Sequence, residues 1–249
     1  MKPHDSFGHM SAEYSAARRG YPPEVYEYLL KSADTNHPQT LDVGCGTGIS
    51  TRELQQHGFQ VTGADKDTEM INVACEQSTE IEYVVAPADN LPFSSESFDL
   101  VTAFTAFHWF NDEKSLAEMR RVLKNGGGFF AALKGNRKSE ESAAFRTGYR
   151  AIMQKYGGER YDKTQEHFHT EIVQSLFSDM RQKSFYIDEK YTVDDALTLA
   201  RSLSIWNLIP EENEQKFIAE LRDFYRAHLI DGFVVRRREI FILFAVKAA

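Results

Sequence analysis

Thr40-Leu41-Asp42-Val43-Gly44-Cys45-Gly46-Thr47-Gly48 is the stretch that decides the fold. A short apolar run reads as a strand, and three glycines at alternate positions then turn the chain into a helix predicted from Ile49 to about His57. Glycine at such a bend permits positive φ and lets a ligand approach the main chain closely. No Lys-Ser/Thr follows, which removes the phosphate loop of nucleotide hydrolases, and the spacing is GxGxG where dinucleotide binders show GxGxxG. A tight turn serving only strand–helix packing is the plain alternative.

Outward from that loop, strand and helix alternate. On the N-terminal side, Pro22 and Pro23 open a helix from Glu24 to Lys31. On the C-terminal side, Gly58 closes the loop's helix, Phe59 to Ala64 is a second strand, and Asp67 caps a helix to about Gln77. Ile81 to Ala86 and Phe98 to Phe104 are further strands, and Asn111 caps a helix carrying Leu116, Met119 and Leu123. Asn125-Gly126-Gly127-Gly128 ends that helix before a fifth strand, Phe129 to Leu133. Strands separated by helices imply parallel pairing with right-handed crossovers. The fold class expected is α/β: a doubly wound, Rossmann-like, seven-stranded, mostly parallel sheet with helical lid insertions.

Beyond Lys134 the pattern changes. Phe145, Tyr149, Ile152 and Tyr156 stand at helical spacing, and Thr170 to Met180 is amphipathic. Phe185, Ile187, Tyr191 and Val193 alternate as a strand, Phe217 to His228 is a helix, and Glu239 to Val246 a last strand. The expected organisation is one domain over residues 1–249, with N-terminal cap helices in 1–35, a cofactor-binding core in 36–136, and a helical lid from 137–181 and 194–232. Ligands of such sheets lie outside the carboxyl ends of the strands, where a lid would cover them.

Composition narrows the partners. The 249 residues carry 29 Lys plus Arg against 37 Asp plus Glu, a formal charge of −8, which argues against nucleic acid because affinity there rests on cations neutralising phosphates. The longest apolar run, Ile240 to Val246, is seven residues against the roughly 20 of a membrane span, and MKPHDSFGHM shows no apolar leader. Cys45 and Cys75 are too few for a disulfide framework and form no ligand cluster, so a cytoplasmic protein without structural metal is expected. His167 and His169 near Glu166 and Glu171, and the run Arg236-Arg237-Arg238, read as solvated surface. Monomer and dimer both stay open.

Asp65 ends the second strand 17 residues after Gly48, at the depth where a carboxylate accepts hydrogen bonds from both hydroxyls of an unphosphorylated ribose. Asp89, in Ala88-Asp89-Asn90-Leu91-Pro92-Phe93, is either a turn residue or an acceptor for an adenine amine, with Asn90 or its main chain reaching a ring nitrogen.

Together these residues resemble the class I S-adenosylmethionine-dependent methyltransferases, in particular the small-molecule group that includes trans-aconitate methyltransferase. The likeness spans roughly residues 10 to 134: Leu41 to Gly48, Val61 to Asp65, Ala88 to Phe93, Ser97 to Phe110, and Arg120 to Gly128. It implies S-adenosylmethionine as cofactor, with S-adenosylhomocysteine as product. Gly44, Gly46 and Gly48 would lie against the methionine part, Asp65 would bind the ribose, and Asp89 would contact adenine. Asp42 would favour the cofactor's cationic groups, and Cys45, Lys66, Ala88, Asn90 and Thr105 complete the cofactor set. Tyr14-Ser15-Ala16-Ala17-Arg18-Arg19-Gly20-Tyr21-Pro22 looks like the segment that folds over the cofactor in this group. It would place Tyr14 and Arg18 on the cofactor, Arg18 on the methionine carboxylate, and Tyr21 toward substrate. Arg19 and Asn125 stand where the pattern usually has Pro.

Methyl transfer from a sulfonium is an in-line displacement, so the protein mainly aligns nucleophile, methyl and leaving sulfur in a dry pocket. His108, in Phe107-His108-Trp109-Phe110 after the fourth strand, is the catalytic candidate: a base for a hydroxyl or amine, an orienting group for a carboxylate, or a structural imidazole beneath the helix at Asn111. Trp109 is a substrate contact or packing. Arg201-Ser202-Leu203-Ser204-Ile205-Trp206 resembles a lid segment, which would bring Ser202, Ser204 or Trp206 near substrate, with core packing the alternative for Trp206. Methylases of nucleic-acid amines or protein side chains often carry a Pro-Pro-Tyr-type motif where this chain has Thr105-Ala106-Phe107-His108, so a small-molecule acceptor is expected. A cofactor-binding protein without transferase activity and an NAD-dependent oxidoreductase are the competing readings, because a sheet architecture alone does not fix function.

Overall fold

In the computed structural model, the described residues are 19–33, 35–136, 138, 143–158 and 170–248. Tyr14, Arg18, His167 and His169 lie outside them. The sheet has the strand order β3-β2-β1-β4-β5-β8-β6, with a short β7 paired to β8. Its strands are β1 (Gln39–Val43), β2 (Gln60–Asp65), β3 (Glu82–Val85), β4 (Phe98–Phe104), β5 (Leu123–Asn136), β6 (Ser178–Tyr191), β7 (Leu229–Ile230) and β8 (Phe233–Val246). Seven strands form the main path as expected, and the two-residue β7 makes an eighth.

β1 pairs in parallel with both β2 and β4, β2 with β3, and β4 with β5. Four of the five residues of β1 are buried, as a strand covered on both faces requires. β8 runs antiparallel to β5, because the Gly126 N–H donates to the Lys247 carbonyl and the Lys247 N–H to the Gly127 carbonyl, both at 2.9 Å. The strand order switches direction at β1 and β4, the crevice where open α/β sheets bind ligands.

Local chemistry explains the joints. Pro23 occupies the first turn of α1 (Pro23–Ser32), where a missing N–H costs nothing. Gly48, at φ +75°, leads into α2 (Ile49–Gln56), and Gly58, at φ +93°, follows its end. Asp67 caps α3 (Thr68–Gln77) by accepting the Glu69 N–H at 3.0 Å, as its position predicts. The cap of α4 (Glu113–Val122) is Asp112 rather than Asn111: its carboxylate accepts both the N–H (2.9 Å) and the hydroxyl (2.8 Å) of Ser115. β5 starts at Leu123, so Asn125 to Gly128 lies within a strand and not in a helix-ending turn.

The chain divides into two compact units, and the division falls within the long strands β5, β6 and β8. One unit comprises residues 20–134, 167–185 and 240–249. Its core joins Leu41, Val43 and Val101 of the sheet to Leu116, Met119, Phe129 and Leu243. Val173 of α6 (Thr170–Leu176) and Phe177 belong to that core, with the Phe177 ring stacked 5.3 Å from Phe129. Ile172, Val173, Leu176, Phe177 and Met180, expected in the lid, therefore pack with the core of this first unit. Val193, expected in a strand, opens a helix after the Thr192 cap.

The other unit comprises the described residues within 1–19, 135–166 and 186–239. It contains α5 (Ala143–Gly157), α7 (Val193–Arg201) and α8 (Glu211–Ala227) around a core of Tyr149, Ile152, Met153, Leu197, Trp206, Phe217, Leu221 and Tyr225.

Candidate functional site

The glycine loop closes onto the neighbouring strand through its own main chain. The N–H groups of Gly44 and Cys45 both donate to the Ala64 carbonyl, at 2.7 and 3.1 Å, and the Gly48 N–H returns to the Cys45 carbonyl at 3.0 Å. Gly44, Gly46 and Gly48 all have φ between +55° and +75°, so the bend needs glycine at each. They differ in what stands over them. A Cβ on Gly44 would meet the Ala106 Cβ at 2.5 Å and the Phe110 ring at 2.9 Å, and one on Gly48 would meet the Tyr83 hydroxyl. A Cβ on Gly46 would meet nothing within 4 Å. The middle of the loop is open, and its ends are packed.

Asp65 stands at the end of β2 against that open position. Its Oδ2 accepts the Gly46 N–H and its Oδ1 the Asp67 N–H, each at 2.9 Å. Burial raises its carboxyl above the ordinary range, against the lowering effect of the two main-chain donors. Each carboxylate oxygen has a further lone pair available beyond these single bonds. Lys66, next in sequence, is exposed.

Asp42 is brought beneath the loop but turned inward. It is 1% exposed, and its oxygens accept the hydroxyls of Thr51 (2.7 Å) and Thr102 (2.9 Å). Burial outweighs these bonds and pushes its carboxyl up to about 7. Asp42, expected to favour the cofactor's cationic groups, thus ties β1, β4 and the first turn of α2 to one another through these two hydroxyls.

The remaining expected residues of this unit stand at the ends of β3 and β4. Ala88 packs on the core, and Asn90 is in a turn, its N–H on the Pro87 carbonyl at 3.2 Å. Asp89 is paired with Lys114 at 2.6 Å, and that ammonium holds its carboxyl below the ordinary value. Thr105, at φ +55°, is a strained non-glycine residue immediately after β4. Its N–H is bonded to the Ala132 carbonyl at 2.7 Å, and its hydroxyl is hydrogen-bonded to the Tyr21 hydroxyl. Tyr21 is buried, edge-on to Phe104 with centroids 4.9 Å apart, and Lys134 Nζ stands 4.8 Å over its ring. His108 is half-buried in a short 3-10 turn, Phe107–Trp109, beside Trp109, which is 50% exposed.

Tyr21, Asp42, the glycine loop, Asp65, Ala88 to Asn90, Thr105 and His108 are therefore gathered in one unit, at or next to the carboxyl ends of β1 to β4. Ser202 and Trp206 belong to the other unit, and each has a packing role there. The Ser202 hydroxyl, fully buried, donates to the Leu199 carbonyl at 2.7 Å. Trp206 lies edge-on to Phe217 at 5.1 Å and its Nε1 donates to Glu214 at 3.3 Å. Both side chains, expected near substrate with core packing the alternative for Trp206, are buried in that unit's own packing.

Sequence reasoning missed four residues that hold the loop. Glu53 of α2 accepts the Tyr21 N–H at 3.2 Å and the Tyr26 hydroxyl, tying the residues before α1 to the helix after the loop. Arg52 donates to the Thr47 carbonyl at 2.8 Å. Tyr83 lies opposite Gly63 in the β2–β3 pair, with its ring over that glycine. An aromatic residue facing a strand glycine was the available signal. Thr47 itself is 1% exposed, and its hydroxyl has no hydrogen-bond partner among the described residues. A buried hydroxyl short of a partner, an open glycine and a carboxylate with spare lone pairs fit a cofactor bearing donors and no phosphate.

Comparison with known proteins bears on family and fold. Residues 41–131 match the family described as "Methyltransferase domain". An uncharacterised methyltransferase of Schizosaccharomyces pombe is 30% identical over 224 residues, covering 86% of this chain and 85% of the relative. Among solved structures, a protein of Anaeromyxobacter dehalogenans described as a type II methyltransferase is similar with a TM-score of 0.70 and 23% identity, over 93% of this chain and 97% of that one. Phosphoethanolamine N-methyltransferase 2 of Haemonchus contortus, in complex with S-adenosyl-L-methionine, gives a TM-score of 0.55 at 19% identity, over 97% of this chain and 57% of that one. With a relative of this identity matched over nearly its whole length, the chain belongs to the methyltransferase family and has the fold of the class I S-adenosylmethionine-dependent enzymes.

Proposed function

We propose that the protein transfers the methyl group of S-adenosylmethionine to an oxygen or nitrogen of a small metabolite. The observation that carries this reading is the Gly46–Asp65 arrangement: an open main-chain position directly bonded to a carboxylate that keeps acceptor capacity. When bound, the cofactor supplies a sulfonium-activated methyl carbon, so the chain's own residues have to position and to exclude water. Asp65 accepts from the ribose hydroxyls, Asp89 and the Ala88–Asn90 turn receive the adenine, and the glycines admit the methionine part.

His108 receives the proton of a hydroxyl or amine acceptor as it attacks, through an imidazole whose ordinary pKa near 6.5 suits that exchange. Trp109, exposed beside it, offers an aromatic face to the acceptor. The negative net charge and the absence of a Pro-Pro-Tyr-type run after β4 support a small molecule over nucleic acid, and two free cysteines suit the cytoplasm. Among the described residues, no helix is long and apolar enough to cross a membrane.

Calorimetric titration with S-adenosylhomocysteine, followed by methyl-transfer assays against hydroxyl, amine and carboxylate metabolites, tests the proposal. Binding with turnover is expected. Binding of NAD in place of S-adenosylhomocysteine, or binding without turnover on any acceptor class, would remove the transferase reading.

A further inference from the structure

The run Arg236-Arg237-Arg238 does not sit in water, although three consecutive cations suggest that it should. β8 begins at Phe233, so alternate side chains face opposite ways. Arg236 (3% exposed) and Arg238 (8% exposed) share the buried side with Val234 and Ile240, while Arg237 faces Asp188 at 3.9 Å. Two buried guanidinium groups are costly unless paired and fully hydrogen-bonded.

The pairing is incomplete. Arg238 Nε donates to Glu189 at 3.0 Å, and its Nη1 donates to the Asn136 side chain at 2.7 Å. Arg236 Nη2 shares that same Asn136 oxygen at 3.3 Å, and the Tyr191 hydroxyl also donates to Glu189, at 3.1 Å. Among the described residues, Glu189 is paired with Arg238, and Arg236 has the neutral Asn136 oxygen as its hydrogen-bond acceptor. Among the described residues, Arg236 Nη1 is buried with no hydrogen-bond partner, and the hydroxyls of Tyr149 on α5 and Tyr225 on α8 have at most each other. These groups are neighbours: the Arg236 guanidinium carbon is 5.1 Å from the Tyr149 ring centre, and the two tyrosine rings are 6.5 Å apart. Arg146, one helical turn before Tyr149, likewise buries an Nε without a partner.

The unmatched guanidinium N–H groups can only donate and the two hydroxyls can donate as well as accept, so an acceptor would satisfy all of them. A carboxylate brings two acceptor oxygens, matches the planar guanidinium fork and takes hydroxyl donors beside it. A carboxylate adds one negative charge beside Glu189, where a phosphate dianion would add two.

We propose that the helical unit holds a buried anion site, made by Arg236, Tyr149 and Tyr225 on a frame of Arg238, Glu189 and Asn136, that binds the carboxylate of a small organic acid.

The test is calorimetric titration of the full chain with benzoate, malonate and succinate, with benzamide and malonamide as neutral isosteres, with inorganic phosphate and sulfate, and separately with S-adenosylhomocysteine. Carboxylates bind and amides do not. Tyr149→Phe and Tyr225→Phe each weaken carboxylate binding about 10- to 100-fold, the scale of one hydrogen bond to a charged group. Arg236→Gln abolishes carboxylate binding and leaves S-adenosylhomocysteine binding intact. Absence of carboxylate binding while S-adenosylhomocysteine binds, a preference for phosphate or sulfate, or carboxylate binding unchanged in all three variants would overturn the site. Carboxylate binding without S-adenosylhomocysteine binding would keep the site and overturn the methyltransferase reading instead.

Discussion

Asp65 accepts the Gly46 main-chain N–H at 2.9 Å, so one carboxylate both holds the loop after β1 and stands at the cofactor position. Its other oxygen accepts the Asp67 N–H, at the start of α3. Removing it therefore has two separable consequences. Asp65→Ala should weaken S-adenosylhomocysteine binding roughly 10- to 100-fold, about 1.5–3 kcal/mol, the scale of charged hydrogen bonds. It should also lower stability by about 1–3 kcal/mol through the two N–H groups left without acceptors. Titration calorimetry and denaturant melts measure the two effects; unchanged affinity beside lowered stability would make Asp65 a loop anchor only. Because burial raises its carboxyl, affinity in the wild type should fall as the pH is lowered through that raised titration, where the carboxylate acquires a proton and loses acceptor capacity.

The glycines of the loop should separate binding from folding. Gly46→Ala places a methyl where nothing stands within 4 Å, at φ +55°, so its cost to the free protein is about 1 kcal/mol of backbone strain. The methyl occupies the ligand's approach, and S-adenosylhomocysteine binding should be lost. Gly44→Ala drives a methyl into Ala106 and Phe110, and should instead lower the melting temperature sharply. Equal loss of binding and stability in both variants would contradict the open middle of the loop.

Asp42 predicts a pH dependence of stability. Its carboxyl lies at about 7 in the folded protein against 3.8 ordinarily, so between these values the folded state holds a proton that the unfolded state has released. Stability conferred at low pH is then lost as the pH rises from about 4 to 7, by a few kcal/mol, and changes no further from this source above 7. Asp42→Asn, which keeps an acceptor for one of Thr51 and Thr102, should flatten that slope in denaturant melts taken across the window. A slope unchanged in the variant would assign the dependence to other groups.

What was legible in the sequence was set by chirality and period. The loop, the Asp67 cap and the crossovers through β4 follow from positive φ at glycine and from alternation of strand with helix. The burial of Asp42 was not legible, because a strand carboxylate reads the same whether it faces a ligand or two threonine hydroxyls 9 and 60 residues away. Long strands were cut short for a similar reason. Asn125 to Gly128 looks like a turn until the Lys247 main chain pairs with it. Arg236 and Arg238 look solvated until β8 is seen to start at Phe233, although the alternation of Val234, Arg236, Arg238, Ile240 and Ile242 carries the period-2 signal. Ser202 and Trp206 were assigned by likeness of a segment, which says nothing of whether a hydroxyl is already bonded to its own helix.

His108 gives the sharpest division between chemistry and architecture. It stands in the turn directly after β4, half-buried beside an exposed Trp109, where a sheet of this order presents side chains to its ligand. An imidazole acting on the acceptor touches neither the ribose nor the glycine loop. His108→Ala should therefore leave S-adenosylhomocysteine affinity within about twofold and lower turnover on a hydroxyl or amine acceptor by about 10²- to 10⁴-fold, the usual contribution of a positioned base. His108→Gln, which keeps a hydrogen-bonding group without a proton acceptor of comparable basicity, should restore stability but not turnover. For a carboxylate acceptor, which attacks already ionised, the same variant should retain most of its rate. A loss of cofactor affinity parallel to the loss of turnover, rescued by Gln, would make His108 a structural imidazole and leave the reaction without a base from this turn.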